Sequence, residues 1–478
     1  MRCLLLGLLS AFAGAAFQYG SVIDAGSSGS RIYLFRWDAR SFPSLPPPLS
    51  TPVEILFFSL RGVAGVDTPA GRAALPQLLE WARGQLLVLG VSAAEIAATP
   101  LFLKATAGMR MLTEEARASA MAEVRAQLAA GPFLFKPSWA RTISGEEEGV
   151  AGWISVNYMA KLLPGQAGAT SGSTLGALDL GGASTQITFA PPAGVDILSS
   201  QFDVRLSSAA QASLYTHSFL YYGQNEAIRR INELVVLSSG LPAGATIAHP
   251  CFLTGTPSSS LLFNSTLVGG LVTFVGASNW TACKEFVTPL MLRGAQCLTD
   301  PRPVFAPWAV SAPSGVTALD WAALQAQRQQ LGVAPLPLIN PNASGTSCSV
   351  GGQYQPPLVP PSALAGSALP VRFSAFSGFS FVYEALGLAY DAPLALLMNA
   401  SRSFCNLDFS SANETFPGAR GEFFRNYVRV CWEHCVAFCC AHFSPSRISP
   451  HTPWCPLAPA VHSGRVCRDP PGGGLWPE

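Results

Sequence analysis

Two carboxylates, Asp24 and Asp179, occupy the same place in two stretches of this 478-residue chain that align without a gap: VIDAGSSGSRIYLF from Val22 and ALDLGGASTQITFA from Ala177. In each, an apolar run leads into the Asp, small residues follow, and an alternating run resumes at Ile32 or Ile187. A phosphate chain needs backbone N–H groups that can approach it closely, which Gly, Ser and Ala permit. Gly26, Ser27, Ser28 and Gly29 form one candidate cradle, and Gly181, Gly182, Ala183 and Ser184 the other. Two carboxylates facing each other across a cleft suit a hydrated divalent cation held between themselves and the phosphates. One such turn alone reads as an ordinary β-turn. Two in register read as a grip on phosphate.

Hydrolysis also needs a base aimed at water. The run Glu146, Glu147, Glu148 offers three candidates between the two cradles, although acids at a helix start are also what the helix dipole favours. Thr106, in KATAGMR, has a hydroxyl suited either to the water shell of a cation or simply to ending its strand.

The elements that must position these groups follow from pattern. Both cradles read strand, turn, strand, so a duplicated hairpin is expected. Between them LFLKATAGMRML reads as a strand ending in a small-residue turn, Thr113 to Ala130 as a helix with Glu114 and Glu115 in its first turn, and ARTIS as a short strand. In GEEEGVAGWISVNYMAKLL, Val150, Trp153, Ile154, Tyr158 and Leu162 recur at helical spacing and put the acidic run at the helix start. Strand and helix alternate as an α/β lobe requires.

Length fits two or three domains. Lys and Arg (29) balance Asp and Glu (28) with no basic stripe, which excludes a nucleic-acid footprint and points to a small-molecule partner. Residues 1–16 read as a secretory signal or trimmed anchor, and any membrane association is expected through that segment only. Twelve cysteines and five N-x-[ST] sequons, at Asn264, Asn279, Asn342, Asn399 and Asn413, point to an oxidising, glycosylating compartment. Pro43 to Pro52 and the segment near 300–361 look like Pro-rich insertions.

DAGSSGSR, KATAGMRML, ISGEEEGVAGWISVNY and DLGGASTQITF resemble the first four apyrase conserved regions of the ectonucleoside triphosphate diphosphohydrolases, the GDA1/CD39 nucleoside phosphatases. YTHSFLYYG, HPC, CSVGGQYQPP and FSAFSGFSFVYEAL extend the resemblance over about residues 19 to 427. It implies an α/β, two-lobed actin-like or sugar-kinase-like (ribonuclease H-like) fold with duplicated phosphate-binding hairpins, lobes at 17–170 and 171–427, and nucleotide in the cleft. It further implies hydrolysis of nucleoside tri- or diphosphates with Ca²⁺ or Mg²⁺, in the secretory pathway, at the cell surface or in the Golgi lumen. By motif, Glu148 is the base, Ser184 and Gln186 position the attacking water, and Asp24, Asp179 and Thr106 hold metal-bound waters. Ser27, Ser28, Gly29, Gly182, Ala183 and Ser184 grip phosphate.

Two departures stand out. Similar enzymes place a base-stacking aromatic where this chain has Ser380, leaving Phe379 or Phe381 as substitutes. After Tyr427 the Trp-Ala-Leu-Gly motif is replaced by a Cys-rich stretch, so 428–478 is expected to be a disordered tail and Cys405 to find Cys431. Rival readings are an exopolyphosphatase of the same superfamily, and an inactive nucleotide-binding form whose second lobe is incomplete.

Overall fold

The computed structural model describes residues 17–38, 54–58, 63–163, 166, 173–206, 211–257, 261–292, 355–356, 358 and 371–416. The expected leader, both Pro-rich insertions in nearly all their length, Asn342 and the tail after Tyr427 lie outside the described residues.

In the first half, β1 (Phe17–Gly26) and β2 (Gly29–Asp38) form the expected hairpin, with Ile23 opposite Ile32 and Asp24 opposite Arg31. Strand alternation buries Ile23 and Ala25 and turns Asp24 to the other face. There follow β3 (Glu54–Phe58), α1 (Pro69–Ala73), α2 (Leu75–Val88), α3 (Ala93–Ala98), β4 (Leu101–Ala105), α4 (Ala107–Arg110), α5 (Glu114–Ala129) and β5 (Ala140–Thr142). The sheet runs β3-β2-β1-β4-β5, with β4 parallel to β1 and β5 parallel to β4. Ile23, Ile32, Leu34 and Leu103 share a core with Leu75, Leu79 and Leu86 of α2 and with Val124 and Leu128 of α5. Each such side chain contributes about 1.5–3 kcal/mol by leaving water. The Thr113 hydroxyl accepts from the Ala116 N–H and so starts α5 where the sequence places it.

The second half opens with α6 (Gly145–Met159), then β6 (Gly176–Leu180), β7 (Ser184–Phe189), β8 (Gln201–Arg205), β9 (Gln211–Leu220) and α7 (Gln224–Ser239). A side sheet of β10 (Thr246–His249), β11 (Leu262–Ser265) and β12 (Gly270–Gly276) precedes α8 (Trp280–Leu292) and β13 (Phe373–Ser377). The main sheet runs β13-β6-β7-β9-β8. β6 and β7 repeat the hairpin of β1 and β2, with Asp179 opposite Gln186, and β13 lies parallel to β6 as β4 lies parallel to β1. This duplicated sheet is the actin-like, sugar-kinase-like α/β fold that the motifs imply.

α6 packs on the second sheet, where Val150, Trp153 and Val156 meet Ala177 and Leu214. The expected boundary at 170/171 therefore falls after a helix whose apolar face belongs to the second core. Gly149 makes the close seat possible, since a Cβ there would meet Thr188 Oγ1 at 2.4 Å. On the sheet's other face Ile231 and Val235 of α7 pack against Leu180, Ile187 and Phe189. Cys251 and Cys283 form a disulfide, and Cys405 is also disulfide-bonded. Among the described residues no helix is long and apolar enough to cross a membrane.

Candidate active site

The two hairpin turns meet. A Cβ added to Gly182 would stand 2.6 Å from Ser28 Oγ and 2.7 Å from Ser27 Oγ, so the second turn presents bare backbone to the hydroxyls of the first. Both turns close on two residues. The first pairs Gly26 with Gly29, and Gly29 has φ +147, a conformation only glycine adopts freely. In the second the Gly181 N–H donates to the Ser184 carbonyl at 3.0 Å around Gly182 and Ala183.

The start of α6 separates the three glutamates. The Ser144 hydroxyl accepts from the Glu147 N–H while the Glu147 carboxylate accepts from the Ser144 N–H, a capping box. Glu147 also pairs with Arg141 at 2.7 and 2.5 Å, and this partner holds its pKa down at about 2. Glu147 is thus committed to the helix end. Glu148, one residue on, turns inward to Arg110 and Gln186.

Glu148 Oε2 accepts from Arg110 Nη2 at 2.8 Å and from Gln186 Nε2 at 3.1 Å. The Arg110 and Glu148 side chains are 14% and 18% exposed. Arg110 also donates to Ser184 Oγ at 3.0 Å and to the Ile143 carbonyl at 3.2 Å. Gln186 Nε2 also lies 2.7 Å from Ser184 Oγ and 2.9 Å from Ser218 Oγ, so its two hydrogens are shared among these hydroxyls and Glu148 Oε2. Two chemical properties result. Ser184 Oγ accepts two hydrogen bonds, which leaves its own hydrogen to donate. Gln186 Oε1 is buried with no hydrogen-bond partner among the described residues.

Burial and the Asp179 charge raise the pKa of Glu148 to about 7 against the pull of Arg110. Burial raises Asp179 to about 6, opposed by a hydrogen bond from Ser377. Asp24 is exposed on its strand, yet desolvation by the surrounding protein raises its pKa against the charge of Arg31. The three carboxylates feel one another. Asp179 Oδ1 is buried without a hydrogen-bond partner. Thr106, 7% exposed at the end of β4, starts α4 without capping it. An orphaned carboxylate oxygen, a second carboxylate and a hydroxyl are hard oxygen donors of the kind that fit a hydrated divalent cation.

Arg110 and Ser218 were not singled out from the sequence. Arg110 carried a signal, standing four residues after Thr106 and so on the same face of a helical turn. Ser218 is set by the pairing of Gln186 with Ser218 across β7 and β9, which no local pattern reveals. Of the two aromatics flanking Ser380, Phe379 is buried in the core, whereas Phe381 is half-buried.

The GDA1/CD39 (nucleoside phosphatase) family model matches residues 13–320, and the chain belongs to that family. It is 31% identical over 411 residues to ectonucleoside triphosphate diphosphohydrolase 8 of Gallus gallus, covering 84% of this chain and 71% of that protein. Ectonucleoside triphosphate diphosphohydrolase 2 of the same organism is 34% identical over 259 residues, covering 53% of this chain and 50% of that one. Among solved structures, a nucleoside triphosphate hydrolase from Neospora caninum superposes with a TM-score of 0.49 at 16% identity, covering 88% of this chain and 86% of that one.

Proposed function

We propose that this chain hydrolyses the terminal phosphate of nucleoside tri- and diphosphates by direct attack of water, with Glu148 as the base. The observation that carries the reading is the Glu148 carboxylate held by Arg110 and Gln186 beside Ser184, in a cleft shared with Asp24 and Asp179.

The attacking water sits between the Glu148 carboxylate, the Gln186 amide and the Ser184 hydroxyl. Its proton passes to Glu148 as its oxygen bonds to the terminal phosphorus, and the bond from that phosphorus to the bridging oxygen breaks. Orthophosphate and a nucleotide one phosphate shorter leave, with no phosphoenzyme. Ser27, Ser28, Gly29, Gly182, Ala183 and Ser184 hold the phosphate oxygens in line, so positioning and charge neutralisation supply most of the acceleration. Asp24, Asp179 and Thr106 would hold Ca²⁺ or Mg²⁺ through its waters, and the bound cation would neutralise charge on the phosphates.

The disulfides, with exposed sequons at Asn264, Asn279 and Asn399, support residence as a glycoprotein in the secretory pathway, at the cell surface or in the Golgi lumen. The test is phosphate release from ATP, ADP, UDP and inorganic polyphosphate, with Ca²⁺, with Mg²⁺ and with chelator. Cation-dependent release from the nucleotides supports the reading; release from polyphosphate alone overturns it.

A further inference from the structure

We propose that Ser377 is a positioning residue for Asp179, fixing the carboxylate so that one oxygen stays free for the cation's water shell. This rests on the reading of the cleft given above.

β13 flanks the Asp179 strand as β4 flanks the Asp24 strand. β4 is followed by Thr106 and β13 ends at Ser377, and each of these residues begins a helix. A Ser or Thr in that place ordinarily gives its oxygen to the N–H groups of the first turn. Neither does so here. The Ser377 hydroxyl bonds to Asp179 instead, while Asp179 Oδ1 is left buried and unpartnered.

The backbone of Ser377 is bent to make this possible. Its φ of 56° and ψ of −125° lie where side-chain-bearing residues rarely sit, and such conformations persist only when their surroundings hold them. Those surroundings are visible. The Ser380 hydroxyl donates to the Ser377 carbonyl at 2.7 Å. The next residue, Gly378, lies flush against its neighbours, since a Cβ there would come 1.8 Å from Gln224 Nε2 and 2.8 Å from the Leu180 carbonyl. Gln224 is itself fixed, donating to that same carbonyl at 3.1 Å.

The test measures the rise in melting temperature of the full chain with Mg²⁺ or Ca²⁺, without nucleotide, and takes the cation midpoint. In Ser377→Ala and Ser377→Gly the midpoint should rise about tenfold, as when a group supporting a cation's ligand is lost. Cation-free Ser377→Gly should melt no lower than the parent, because glycine adopts this backbone freely. A parental midpoint in Ser377→Gly, with the response lost in Asp179→Ala, would overturn the role of Ser377 alone. A parental response in Asp179→Ala, or none in the parent, would overturn the reading of the cleft and this proposal together.

Discussion

Arg110 Nη2 stands 2.8 Å from Glu148 Oε2 and 3.0 Å from Ser184 Oγ, so one guanidinium spans the residue assigned as base and a hydroxyl beside the attacking water. Burial drives Glu148 toward its protonated, inactive form, and Arg110 opposes it.

Removing Arg110 should therefore move the base before it moves the fold. In Arg110→Ala the acidic limb of the kcat profile is expected to shift to higher pH by about one unit or more. Arg110→Lys should lie between, because an ammonium lacks the fork that reaches both partners. The check is kcat against pH at saturating nucleotide and cation.

The same shift makes stability depend on pH in a set direction. Glu148 is raised from 4.5 to about 7 on folding and Asp179 from 3.8 to about 6. The native state binds these protons more tightly, so their contribution is full below the ordinary values and is lost as pH rises through about 6 to 7. Cation-free protein should thus lose a few degrees of melting temperature to these groups between about pH 5 and pH 8. Glu148→Gln should show a smaller loss, and Mg²⁺ or Ca²⁺, which favours the ionised forms, should restore the parent. Melting curves across that range read this directly.

Gly182→Ala places a methyl group 2.6 Å from Ser28 Oγ, in the space assigned to phosphate. KM for ATP should rise about tenfold or more with a lesser change in kcat, the mark of lost binding common to ground and transition states. Steady-state kinetics with ATP separates the two.

Ser218→Ala should be the mildest change near the base. Gln186 keeps its bonds to Glu148 and Ser184 and loses only the 2.9 Å bond to Ser218. A fall in kcat of less than about tenfold is expected, corresponding to one neutral hydrogen bond.

The parts of this site that were legible in the sequence are those made by local pattern. The hairpins around Asp24 and Asp179 announce themselves through alternation and small residues, and the start of α6 through the acidic run ahead of an apolar helical repeat. The helix start did not by itself choose among the glutamates. Glu147 is consumed by a capping box and by Arg141, leaving Glu148 to face Gln186. What sequence left unread depends on long-range packing: the rotation of α4 that aims Arg110, the β7–β9 register that brings Ser218 to Gln186, and the seating of α6 on the second sheet.

The most direct test of the central claim is the rate of phosphate release from ATP by Glu148→Gln, which preserves size and hydrogen bonding but removes the base. With circular dichroism matching the parent, the rate should fall by about 10²–10⁴-fold at saturating cation. Release at the parental rate would contradict the assignment of Glu148.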